Sequence, residues 1–118
     1  MSECVFCRIA RGEIGADVVA ANEEFVAFRD LHPVVAQHVL VIPRQHVSSL
    51  ATVDELGEGK AGRLLAFVAE VANHLGVGQD GYRVIVNTGR HAGQEVDHLH
   101  LHVLGGEPLG PLTCTDRR

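Results

Sequence analysis

A chain of 118 residues with 46% apolar side chains has the length of one ordinary domain and too much hydrophobicity for a disordered one. The formal charge is −5 and Lys60 is the single lysine, so there is no basic stripe of the kind that displaces counterions from long nucleic acid. A small anionic ligand stays compatible, because histidines and backbone N–H groups bind phosphate without a positive surface.

In chain order, the opening "MSECVFCRIARGEI" has no charged start followed by a long apolar run, so it does not read as a secretory signal. No stretch approaches the ~18 apolar residues of a membrane span. The expectation is a cytoplasmic protein with no membrane partner. In a reducing compartment, an odd count of three cysteines does not read as a disulfide framework. Residues 4–11 can form a short helix closed by Gly12. "ADVVAAN" and "EFVAFRD" read as two strands around the polar "NEE" turn, and "HVLVIP", residues 38–43, as a third that Pro43 ends.

Thr52 and Glu55 match a capping box. Behind them Ala61, Leu64, Leu65, Val68, Val71, Ala72 and Leu75 recur at helical spacing, with Gly76 as the stop. Gly57, Gly59 and Gly62 weaken the front of that helix, by about 1 kcal/mol each against alanine, and predict a later start. "YRVIVN", residues 82–87, is a fourth strand, followed by the polar loop "TGRHAGQE". The fifth strand, "VDHLHLHVLGG", carries His98, His100 and His102, and the tail "EPLGPLTCTDRR" holds no predicted element. The fold class is α+β: a five-stranded, mainly antiparallel sheet with one main helix and a short N-terminal one.

Alternation along a strand puts His98, His100 and His102 on one face, about 6.5–7 Å apart. Three rings so spaced converge poorly on one metal ion with bonds near 2.0–2.1 Å, yet they suit a row of contacts along a phosphate. An imidazole is an able nucleophile near neutral pH once its proton sits on the correct nitrogen. Half-buried structural histidines are the competing reading. "CVFC" by itself is a weak metal signal, and its redox reading lacks the βαβ context of a thioredoxin.

"HLHLHVL" matches the His-φ-His-φ-His-φ-φ motif, and with "DLHP", "HVLVIPRQH", "GYRVIVNTG" and "AGQEVDHLHLHVLGG" the chain resembles the histidine triad family of nucleotide-binding proteins. "GQEV" and "LGGEPLGPL" are most similar to its Hint-like branch, bacterial type. The resemblance implies a single such domain over residues 1–118, binding a purine nucleoside monophosphate moiety and hydrolysing an ester, anhydride or phosphoramidate at its α-phosphate. It implies His100 as the nucleophile of a covalent nucleotidyl-histidine, with His102 on the phosphate and His38 as the fourth histidine of a hydrogen-bond relay. The carbonyl of His98 would fix the tautomer of His100. Asp30 would accept from the ribose hydroxyls, and Asn87 would donate to phosphate oxygens.

The loop residues Gly93 and Gln94 can offer backbone N–H groups to the phosphate, like an oxyanion hole. Glu95 stands where animal relatives carry a serine assigned to the leaving group, so leaving-group preference is open. The resemblance further implies a structural zinc on Cys4, Cys7, His46 and His98, no cofactor for catalysis, and a homodimer joined across a two-fold axis. Cys114 has no partner in that scheme. Two other functions remain open at this level: a dinucleoside polyphosphate hydrolase of the Fhit type, and a nucleotide-binding scaffold with incidental catalysis.

Overall fold

The structure, a computed structural model, describes residues 4–112. Two α-helices, α1 (Val5–Ala10) and α2 (Glu58–His74), accompany five strands: β1 (Val18–Ala21), β2 (Phe25–Arg29), β3 (Gln37–Pro43), β4 (Tyr82–Ile85) and β5 (Leu101–Gly105). All the pairings are antiparallel and the sheet order is β1-β2-β3-β5-β4. The expected α+β architecture is therefore present. Among the described residues no helix is long and apolar enough to cross a membrane.

Strands β2 and β3 are apolar on both faces because both faces are covered. Phe25, Ala27, Val39, Val41, Leu101 and Val103 pack with Leu64, Phe67, Val68, Val71 and Ala72 of α2. The intervening residues Val26, Phe28, Leu40 and Ile42 turn to the other face, where Phe6 and Ala10 of α1 meet them. A six-residue helix covers only part of that second face, and the histidines occupy the part beside it.

Three local details differ from the sequence reading and a fourth follows it. The capping box at Thr52 is not used: Thr52 has non-helical angles inside a 3-10 segment, Leu50–Leu56, whose cap is Ser49 accepting from the Ala51 N–H. The main helix starts at Glu58 behind Gly57, whose φ of +84° suits glycine, so the later start foreseen from the glycines is what forms. Leu65 is exposed, whereas Phe67 is buried with its ring 5.5 Å from that of Phe25. Helical rotation explains this, since Leu65 sits about 100° round from Leu64 while Phe67 follows it by three residues. Finally, the histidine strand is shorter than its alternation suggests. Pairing begins at Leu101, and His98 and His100 lie in the bent approach to it. Cys114 falls outside the described residues.

Candidate active site

Position follows from register. On β3 and β5, His38 faces Leu104 and Leu40 faces His102, so His38 and His102 are diagonal neighbours on the sheet face that α1 leaves open. Their ring centroids are 5.2 Å apart, and His100 adds a ring 5.2 Å from His102. Phe6 of α1 stands edge-on to His100 at 5.2 Å and to His98 at 5.9 Å. The bend before β5 takes His98 out of the row. Its ring is fully buried and turns toward Cys4, Cys7 and His46.

The hydrogen-bond network assigns a proton to each ring. The His100 Nδ1–H donates to the carbonyl of His98 at 2.7 Å, which leaves the His100 Nε2 lone pair unused by that bond. The Val34 N–H donates to His38 Nδ1 at 3.3 Å, so His38 carries its proton on Nε2. That Nε2–H donates to His102 Nδ1 at 2.9 Å, with Asp30 Oδ2 also close at 3.4 Å. His102 consequently holds its proton on Nε2. One ring offers a lone pair and its neighbour an N–H, which is the pairing needed to attack an electrophile and hold its oxygens.

A cavity of about 280 Å³ opens beside these rings. His100, His102, Asp30 and Glu95 line it, opposite an apolar wall that includes Val5, Phe6, Ile9, Phe28 and Leu40. Asp30 also ties its own loop, Oδ1 accepting from the His32 N–H at 2.8 Å. Asn87 is half-buried just beyond β4 and is not among the lining residues.

The loop residues are engaged within their own loop in this structure. The N–H groups of Gly93 and Gln94 are used within the loop, donating to Arg90 O at 3.0 Å and Gly89 O at 3.1 Å. Gly93 contributes a left-handed turn at φ +77°. Gln94 braces the loop: its Nε2 donates to Ser48 O and Val96 O, and its Oε1 accepts from the Gly89 N–H. The sequence reading also missed the apolar wall, although Val5 and Ile9 at i, i+4 were a legible signal for it.

Cys4, Cys7, His46 and His98 form a second cluster whose donor atoms lie within 4.8 Å of one another, a group that could hold a metal ion. Cys4 Sγ is 3.3 Å and Cys7 Sγ 3.5 Å from His98 Nδ1, and Cys7 Sγ is 3.2 Å from His46 Nδ1. A tetrahedral zinc site separates sulfur from nitrogen by about 3.5 Å, so the residues fit that ion. The second shell fits as well. His98 Nε2–H donates to the Pro43 carbonyl at 2.8 Å, leaving Nδ1 unprotonated toward the thiols.

Burial is the leading cause that pushes both His98 and His102 down to about 4, and neighbouring imidazoles add to it. A histidine with a depressed native pKa binds its proton more readily in the unfolded chain. Its stability contribution is complete above pH 6.5 and is lost as pH falls toward 4. For His102, which is partly exposed, the loss at pH 5 relative to pH 7.5 is on the order of 1 kcal/mol after solvent screening. Urea titrations of wild type and His102→Gln at the two pH values check this, with the variant expected to lose less. Equal losses in the two proteins would remove His102 as the cause.

Comparison with known proteins adds three kinds of likeness. The family model described as "HIT domain" matches residues 11–109. The purine nucleoside phosphoramidase of Escherichia coli (strain K12) is 43% identical over 110 residues, covering 93% of this chain and 92% of that protein. Protein HitA of Neisseria gonorrhoeae is 40% identical over 105 residues, 89% of this chain and 97% of its own. A histidine triad protein from Clostridium difficile superposes with a TM-score of 0.88 at 37% identity, covering 96% of this chain and all of the other. A HIT family hydrolase from Legionella pneumophila Philadelphia 1 gives 0.87 at 37% identity, over 92% and 96% of the two chains.

Proposed function

Since this chain belongs to the HIT domain family, we propose that it is a nucleotide-binding hydrolase that cleaves nucleoside phosphoramidates, or related AMP-X compounds, at the α-phosphate. The observation that carries this reading is the 2.7 Å bond from the His100 Nδ1–H to the carbonyl of His98, beside His102 in a cavity that also holds Asp30. The name of the Escherichia coli relative supports the substrate class.

In the first step His100 Nε2 forms a bond to phosphorus as the P–N bond breaks, and the amine leaves with a proton taken from solvent, which the attacking water of the second step returns. Water then attacks the phosphorus of the nucleotidyl-histidine, releasing the nucleoside monophosphate and restoring the ring; the net reaction is hydrolysis. The His102 Nε2–H donates to an α-phosphate oxygen as negative charge develops on it. His38 holds that tautomer through its 2.9 Å bond to His102 Nδ1. Asp30 takes the ribose hydroxyls and Asn87 and Gln94 serve the phosphate side, Gln94 by bracing the loop that Gly93 turns. Glu95, an acidic group at the cavity, bears on the choice of leaving group.

Zinc is the ion assigned to Cys4, Cys7, His46 and His98, in a structural role that leaves His100 and His102 for chemistry. Two copies join through β4, one of the two unpaired sheet edges, on which Tyr82 and Val84 are exposed, as a two-fold dimer. The whole of residues 1–118 is taken as one domain, acting in the cytoplasm.

Parallel assays with adenosine 5′-phosphoramidate and a diadenosine polyphosphate test the reading. Faster hydrolysis of the phosphoramidate is expected. Preference for the dinucleotide would transfer the protein to the Fhit type. AMP binding with no covalent intermediate on rapid quench would leave a scaffold.

A further inference from the structure

The two clusters share structural parts. Helix α1 has six residues, and its N-cap is Cys4, whose Sγ accepts from the Cys7 N–H at 3.5 Å. An isolated helix this short does not hold itself together, since about 12–15 residues are needed even in favourable sequences. Its order comes from what it touches. Cys4 and Cys7 turn toward His98 and His46, while Val5, Phe6 and Ile9 form part of the cavity wall. Phe6 rests edge-on against Phe28, His98 and His100. His98 is the second shared part. Its Nδ1 faces the thiols while its carbonyl holds the Nδ1–H of His100.

We infer that metal occupancy of Cys4, Cys7, His46 and His98 and ligand occupancy of the cavity beside His100 are coupled through α1 and His98, each strengthening the other. A metal ties the first turn of α1 to His46 and His98, and so sets Phe6 and Ile9 in place. A nucleoside packed against Val5, Phe6 and Ile9 orders the same turn from its other side. Whichever binds first carries most of the ordering cost, and the second binds to a wall already formed. Linkage then requires one factor to describe both directions. The inference rests on the nucleotide reading of the cavity.

The test uses zinc-loaded protein, with zinc affinity read by competition against a chromophoric chelator in the presence and absence of saturating AMP. AMP is expected to tighten zinc binding by about tenfold, within the range common for coupled sites. Calorimetry should show zinc-stripped protein binding AMP more weakly by the same factor. The competition needs no folded metal-free protein. Zinc affinity unchanged by bound AMP would overturn the coupling and leave the nucleotide reading intact. Failure of AMP to bind the zinc-loaded protein overturns the nucleotide reading itself and the coupling with it. A protein that takes up no zinc also overturns the coupling.

Discussion

His100→Ala is expected to lower turnover of adenosine 5′-phosphoramidate by at least about a thousandfold, equivalent to about 4 kcal/mol of transition-state stabilisation. The expectation rests on the position of the ring. Its Nδ1–H is tied to the His98 carbonyl at 2.7 Å and Phe6 stands edge-on to it, which fixes the ring with Nε2 as the unprotonated nitrogen. AMP affinity should change little, because the lost bond to phosphorus exists only on the reaction path. Steady-state kinetics and calorimetry on the same preparations separate the two quantities. Retention of more than about a tenth of wild-type activity would remove His100 as nucleophile, since a lost nucleophile costs orders of magnitude more. Weakened AMP binding in parallel with lost activity would point instead to a disturbed cavity.

The second large effect is on stability. The purified protein is expected to carry one equivalent of zinc, and chelation should lower its melting temperature by about 10 °C or more. A ligand present at a thousand times its Kd stabilises by about 4 kcal/mol, and for a chain of this size each kcal/mol is worth roughly 3–6 °C. Much of that loss falls on the first turn of α1, whose Cys4 and Cys7 would then meet His98 and His46 through thiol–imidazole hydrogen bonds instead of a shared ion. Metal analysis paired with calorimetric melting decides the matter. Less than about a tenth of an equivalent, with no melting shift in chelator, would exclude a structural zinc.

The strands were legible because their residues obey simple patterns. β3 reads as a strand from its β-branched run and the proline that ends it, and α2 from its three- and four-residue apolar spacing. The capping box misled because Thr52 and Glu55 carry the right side chains in a segment whose backbone is 3-10. A pattern of side chains reports a capacity, and the glycine at position 57, with its positive φ, decided where the long helix begins. The triplet misled more subtly. Strict alternation suggested three rings in one row, whereas the bend before Leu101 sends His98 to the thiols.

The sequence by itself determined which chemical groups are available, in what order, and which faces of each element are apolar. It therefore yielded the sheet, the long helix and the candidate residues, because periodicity and residue chemistry are local properties of the chain. The tautomer of His100 followed from the resemblance, whereas tertiary structure decided which nitrogen of His38, His98 and His102 carries its proton. Those assignments depend on the Pro43 carbonyl and the Val34 N–H, backbone groups with no signature in residue type. It also decided that Cys4 and His98, 94 positions apart, lie 3.3 Å from each other. Only the folded chain brings such groups into range, and hydrogen bonding and ligation act over a few ångströms of space, regardless of sequence separation.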